Sequence, residues 1–173
     1  SLCKSGTSFS EFYSVQDVLN SRNVSQRRYV LEGYLAPDTY EIYIGATASE
    51  IIRKLITQTE RVFSVACEDR AEEMGYTMDE ILTLASMIEK EASKADFAKV
   101  SAVFHNRLKA GMKLQSDVTI HYITGVRKMS LTGSDLALDS LYNTYRVTGL
   151  PLGPICAPSA DCLLYTSDAA DDL

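Results

Sequence analysis

Two carboxylates lie near the end of an apolar run, Thr83-Leu84-Ala85-Ser86-Met87-Ile88-Glu89-Lys90-Glu91-Ala92. Thr77 and Glu80 frame a capping box, so the run is predicted to be a helix starting at about Met78. At about 100° per residue, Glu89 shares a face with Leu82, Ala85, Ser86 and Ser93, a stripe of small side chains that leaves room beside it. Glu91 falls on the opposite side with Leu84 and Met87. A helix apolar on most sides is normally buried, and a carboxylate on it needs a partner or a raised pKa. That description fits a general acid, and Glu89 is the residue it selects. It also fits a buried salt bridge to Lys90 or Arg107, or a Glu at the edge of a solvated face.

Two polar clusters could complete a site around that acid: Gln115-Ser116-Asp117 and Tyr142-Asn143-Thr144-Tyr145. Loops rich in amides, hydroxyls and aromatic rings suit a sugar cleft. Rings take the CH faces, amides fork onto hydroxyl and acetamido groups, and one carboxylic acid protonates a glycosidic oxygen. Each cluster has a plainer reading as well. Gln115 to Asp117 can simply cap a helix, and the tyrosines and Asn143 can pack and close a turn. Arg107, near the end of a helix, suits a C-terminal cap or a pair with a buried carboxylate. Other chemistries find no support: there is no Gly-rich phosphate loop, no GxSxG elbow and no HExxH. His105 and His121 are isolated. Cys3, Cys67, Cys156 and Cys162 show neither CxxC nor metal-ligand spacing and read as scattered free thiols. No metal and no cofactor is expected.

The elements that must position these residues are mostly helical. Thr47 to Glu50 form a second capping box, opening a helix with Ile52, Leu55, Ile56, Thr59, Phe63 and Ala66 on one face that runs on to Gly75. A third helix carries Phe97, Val100, Ser101, Phe104 and Leu108 on one stripe and ends at Gly111. Short helices are expected at Val118–Ile123, capped by Ser116 or Asp117, and at Ser134–Asp139. Upstream, Tyr40, Ile42 and Ile44 alternate with Glu41 and Tyr43 as in a half-buried strand. The expected class is α+β: a helical catalytic lobe with a little β-strand from residues 31–44. Residues 1–30 read as a linker or the remnant of an upstream unit, 31–158 as the catalytic domain, and 159–173 as an atypical, disordered tail.

The chain has 173 residues and a net charge of −6. Without the four aspartates of the last fifteen residues the charge is −2, which argues against nucleic acid or an anionic membrane surface as the main partner. No run approaches the length of a membrane span, and no signal peptide is visible.

Five stretches in order carry a resemblance: LEGYLAPDTY at Leu31–Tyr40, ASMIEKEA at Ala85–Ala92, VFHNRLKAGMKLQ at Val103–Gln115 with Ser116-Asp117, YNTY at Tyr142–Tyr145, and GLPLGPI at Gly149–Ile155. Together they resemble the endolytic murein transglycosylase family, the YceG-like or MltG-like proteins of bacteria. The resemblance covers about residues 31–157. It implies a lytic transglycosylase that cuts peptidoglycan glycan strands internally between N-acetylmuramic acid and N-acetylglucosamine, leaving 1,6-anhydro ends and terminating strand elongation. It implies Glu89 as the catalytic residue and Gln115, Ser116, Asp117, Tyr142, Asn143 and Tyr145 as cleft residues. It further implies glycan strands as substrate, cell-wall synthases as a partner class, and work on the outer face of the cytoplasmic membrane through an N-terminal anchor that this chain lacks. A missing LysM-like subdomain is implied as well. The sequence departs from the family pattern at Ala36, where Phe is usual, at Leu141 and Leu152, where Pro is common, and at Ala157 and Ser159, where Asn and Gly are expected. After Pro158 the motif resemblance stops.

In the implied reaction one Glu protonates the glycosidic oxygen and then takes a proton from the muramic C6 hydroxyl, which closes the anhydro ring. Two other readings stay open: a lysozyme-like hydrolase with Asp117 as second carboxylate, and a non-catalytic peptidoglycan-binding scaffold indifferent to Glu89.

Overall fold

The computed structural model of the chain describes residues 9–20 and 23–168; Cys3 lies outside them. In chain order the helices are α1 (Tyr13–Asn20), α2 (Ala48–Ala66), α3 (Glu68–Met74), α4 (Met78–Glu91), α5 (Phe97–Lys109), α6 (Asp117–Thr124), α7 (Gly133–Leu136) and α8 (Ala160–Asp168). Both expected capping boxes form, Thr47 with Glu50 and Thr77 with Glu80. A third, Thr132 with Asp135, opens α7 one residue earlier than expected. The long helix expected to run to Gly75 breaks at Cys67, whose φ of −154° is not helical, and becomes α2 and α3. Gly75 then ends α3 in the left-handed conformation, at φ 73°.

Helix α4 is the axis of the molecule: α1, α3, α5, α6 and α8 all pack on it. Ile81, Leu82, Leu84, Ala85, Met87 and Ile88 are enclosed on every side. Each large side chain so buried contributes about 1.5–3 kcal/mol. The surrounding helices each supply only one apolar stripe, so α4 carries most of the core.

The α+β expectation holds for its helical part alone. Among the described residues no strand forms, and the one ladder contact is an isolated parallel bridge between Lys113 and Gly149. Residues 36–43 form no regular element, Ile44 and Gly45 make a turn closed by the Ala46 N–H on the Tyr43 carbonyl, and the Tyr43 and Ile44 side chains stand in solvent. Alternation of apolar residues describes a pleat; a sheet also needs a partner. The segment is fastened by side chains instead. Thr59 on α2 donates its hydroxyl to the Tyr34 carbonyl at 2.9 Å and accepts the Ala36 N–H at 3.0 Å. Lys54 donates to the Glu41 carbonyl.

The disordered tail is likewise corrected where it is described. Ala160–Asp168 is a helix packed on α4, with Cys162, Leu163, Thr166 and Ser167 buried. Its amphipathic face fills the groove beside α4's small residues, and Ser159 caps it by accepting the Cys162 N–H at 3.2 Å. Residues 13–30 also belong to the packed unit, through Val15, Val18 and Val30.

Two stretches distant in sequence are locked together under this core. The first is the turn at Gly33, with φ +88°, which presses on Pro154: a Cβ on Gly33 would lie 2.5 Å from the Pro154 Cβ. Gly33→Ala combines left-handed strain with this overlap against a stiff ring. The expected loss is about 2 kcal/mol or more, read as a lower urea midpoint at unchanged m. The second is Gly153, where a Cβ would lie 2.8 Å from the Arg27 Cζ. Leu152, standing where Pro is common, donates its N–H to the Leu141 carbonyl at 3.1 Å, a bond that proline could not make.

Candidate active site

The sequence places Glu89 and Glu91 two residues apart, and α4 sends them to different surroundings. Glu89 lies beneath the start of α8. Its Oε2 accepts the Ser159 N–H at 3.0 Å and the Ser159 hydroxyl at 2.7 Å. The room beside the small-residue stripe is filled: Ser86 Oγ accepts the Ile155 N–H at 3.0 Å, and the Cys162 thiol points at the Ala85 carbonyl. Glu89 therefore caps a helix, in the role that negative charge plays at a helix N-terminus. It does not meet the polar loops expected to surround it.

Glu91, the last residue of α4, does meet them. The Ser116 hydroxyl donates to Glu91 Oε2 at 2.7 Å. Asp117, at the first turn of α6, accepts a hydrogen bond from the Tyr145 hydroxyl. Burial, then the Asp117 bond, then the Asp117 and Glu91 charges push the Tyr145 phenol up to about 12, so it remains a neutral donor. Glu91 and Asp117 line a cleft of about 410 Å³ whose other walls include Lys90, His121, Tyr122 and Arg127.

Next to the cleft the two polar clusters are clasped together. Gln115 N–H donates to the Thr144 carbonyl at 3.0 Å, Ser116 N–H to the Thr144 hydroxyl at 3.0 Å, and the Thr119 and Thr144 hydroxyls lie 3.0 Å apart. Gln115 adopts φ +50°, uncommon for a residue with a side chain. That twist leaves its side chain exposed with no partner among the described residues. Arg107 donates to the Leu114 carbonyl, which fixes the approach to the clasp and agrees with its reading as a structural group.

Two expected cleft residues play another part. Asn143 is fully buried: its amide donates to the Leu136 and Leu138 carbonyls at 3.0 and 2.8 Å, and its oxygen accepts the Tyr145 N–H at 3.0 Å. All its capacity goes into shaping the turn that presents Tyr145. Tyr142 is also buried, with its ring 4.9 Å from that of Tyr122. Glu91, Lys90, His121, Tyr122 and Arg127 were not expected at the site from the sequence. The signal for Glu91 is its place at the helix end, where a side chain clears the core whichever face it occupies.

His105 is a packing residue, its Nε2 2.9 Å from the Thr166 carbonyl. Among the described residues, Cys67, Cys156 and Cys162 are free, and burial pushes the Cys67 and Cys156 thiols up to about 12. No group of three or more His, Cys, Asp or Glu gathers there to hold a metal ion. None of the described helices is long and apolar enough to cross a membrane.

Known proteins are similar to this chain in sequence and in fold. The chain is 42% identical over 141 residues to the endolytic murein transglycosylase of Bacillus subtilis (strain 168), an alignment that covers 80% of this chain and 38% of that protein. It is 35% identical over 145 residues to the protein of the same name from Streptococcus pneumoniae (strain ATCC BAA-255 / R6), covering 80% and 26%. The chain thus spans well under half the length of these relatives. The crystal structure of a YceG-like protein from Listeria monocytogenes superposes with a TM-score of 0.81 at 34% identity, over 92% of this chain and 52% of that one. The model of the YceG-like family matches residues 4–172, beyond the point where the motif resemblance ends, and on that match the chain belongs to the YceG-like family.

Proposed function

We propose that this chain carries the catalytic region of an endolytic murein transglycosylase, with Glu91 rather than Glu89 as its acid and base. The observation that carries the reading is the hydrogen bond from Ser116 to Glu91, which lines one cleft with Asp117, itself the acceptor of the Tyr145 hydroxyl. The relatives' names supply the substrate class.

In the proposed step, protonated Glu91 donates to the oxygen joining N-acetylmuramic acid to N-acetylglucosamine. The C1–O bond breaks as positive character builds on the muramic ring. The Glu91 carboxylate then takes the proton from the muramic C6 hydroxyl while O6 bonds to C1. No water is consumed, and Glu91 returns to its starting form. Ser116 aims the carboxyl, Gln115 supplies an amide for an acetamido group, and the Tyr145–Asp117 pair forms one wall. In this reading the cut terminates strand elongation, and the enzyme works outside the cytoplasmic membrane beside the wall synthases.

Mass spectrometry of digested glycan strands tests the reading: the expected products end in 1,6-anhydromuramic acid, one water lighter than reducing ends. Reducing ends would instead point to hydrolysis, for which Asp117, in the same cleft, is the available second carboxylate. The two glutamates are separated by a further prediction. Glu89→Gln keeps an acceptor for Ser159 but loses the charge at the start of α8. It should cost about 0.5–2 kcal/mol in thermal unfolding and leave turnover of folded enzyme within about threefold of wild type. A folded Glu89→Gln protein without turnover would return the acid to Glu89.

A further inference from the structure

The cleft holds two cations that the proposed step does not use; one of them, Lys90, lies near enough to Glu32 to act on its charge. Lys90 precedes Glu91 at the end of α4, and Arg127 lies two residues past Gly125, which ends α6 at φ 71°. They stand on different elements and line the same cleft. Both are exposed. Among the described residues neither lies within 4.0 Å of a carboxylate, unlike Arg27, Lys94 or Lys128; Arg28, Lys54, Arg61, Arg107, Lys109 and Lys113 also lack such a pair, but they do not line this cleft. His121 lines the same space, and its buried Nε2 has no hydrogen-bond partner among the described residues.

A neutral sugar gives unpaired cations little to bind. An anion within reach gives them charge-assisted hydrogen bonds. In murein the glycan backbone is neutral and the charge sits on the arm at C3 of muramic acid. That arm is a lactyl ether that ends in the carboxylates of a peptide stem or, where the stem has been removed, in the lactyl carboxylate itself. The muramic ring is the one attacked, so its arm lies beside the acid.

We propose that Lys90 and Arg127 form an anion subsite beside Glu91 that receives a carboxylate of the muramic lactyl–peptide arm, with His121 behind them as a further polar group. This rests on the murein reading above. The subsite makes the enzyme prefer strands that carry charged arms, and its contribution weakens as salt rises.

The test uses the whole chain and three preparations of glycan strands: with intact stems, with stems removed so that the lactyl carboxylate is free, and with stem carboxylates converted to amides. For the wild type, KM should be about tenfold lower on strands with a free carboxylate than on amidated ones. Lys90→Gln with Arg127→Gln should erase that difference by raising KM on the charged strands, with kcat changed less than about twofold. Lys90→Arg should keep the preference. If the loss is confined to stem-bearing strands, the stem is the ligand; if it is confined to trimmed strands, the lactyl carboxylate is. Either result supports the subsite. An unchanged KM ratio in the double variant overturns it. So does an equal fall in kcat on all three preparations, since the cations would then be acting on Glu91 and not on the arm. A wild-type protein that cuts none of the strands overturns the murein reading, and this inference with it.

Discussion

Glu91→Gln is expected to lower glycan-strand cleavage about a thousandfold or more while the protein keeps its fold and still binds strands. Gln matches Glu in shape and offers an oxygen to the Ser116 hydroxyl, so the clasp that receives it has no reason to move. Proton donation and proton removal are both lost, because one group performs both. General acid–base catalysis contributes about 10²–10⁴-fold, and in this step a single residue supplies the acid half and the base half in turn. The comparison is between circular dichroism and thermal unfolding on one side and the release of soluble glycan fragments on the other. Substantial cleavage by a folded Glu91→Gln protein would refute the assignment of the acid.

The second large effect lies at the other end of α4. Asp79 sits in its first turn and takes both terminal nitrogens of Arg27, with one of these bonds at 2.9 Å. The Tyr34 hydroxyl donates to the same carboxylate. The Arg27 side chain is 3% exposed and that of Asp79 17%. Burial works against the guanidinium, and the Asp79 carboxylate more than restores it, so Arg27 is held above its usual pKa. Asp79→Ala leaves a buried cation without its counter-charge and removes one acceptor of the Tyr34 hydroxyl. The expected cost is about 3–5 kcal/mol, on the order of 10 °C in Tm for a chain of this size. Pairing Asp79→Leu with Arg27→Met should recover part of that loss, because removing both charges also removes their desolvation cost. A loss below about 1 kcal/mol in the single variant would mean that the pair is not closed in solution. Cleavage at low temperature should persist, since the 14-residue helix sets Asp79 about 20 Å from Glu91.

The contrast between these two ends explains what the sequence could and could not reveal. Capping boxes are local devices, so Thr47–Glu50 and Thr77–Glu80 were legible from residue types alone. The polar loops that form the cleft were legible as chemistry, though not residue by residue. Asn143 looks the same in a sequence whether it faces a sugar or holds a turn, and only the carbonyls of Leu136 and Leu138 decide it. A helical wheel gives angle and not height, so it could not show what stands beside Glu89. Small neighbours were read as open space, yet α8 and the Ile155 loop occupy that space. At the helix end there is no further turn to pack, so Glu91 reaches the cleft from a bulky face. The strand expected within 31–44 failed for a similar reason, since periodicity within a segment says nothing about what lies alongside it.

The clasp at Thr144 has a consequence for how this cleft can change over time. The loop and helix between Ser116 and Thr144 are pinned at both ends by bonds that span 28 residues. Residues 125–134 between those pins are largely exposed. They form a cassette: their length and composition can drift with little entropic cost, while the acid and its hydroxyl partner stay where they are. Arg127 sits in that cassette, and Glu91, Ser116 and Tyr145 do not. In the proposed reading, the Arg127 half of the anion subsite can therefore change without moving Lys90, Glu91 or Ser116.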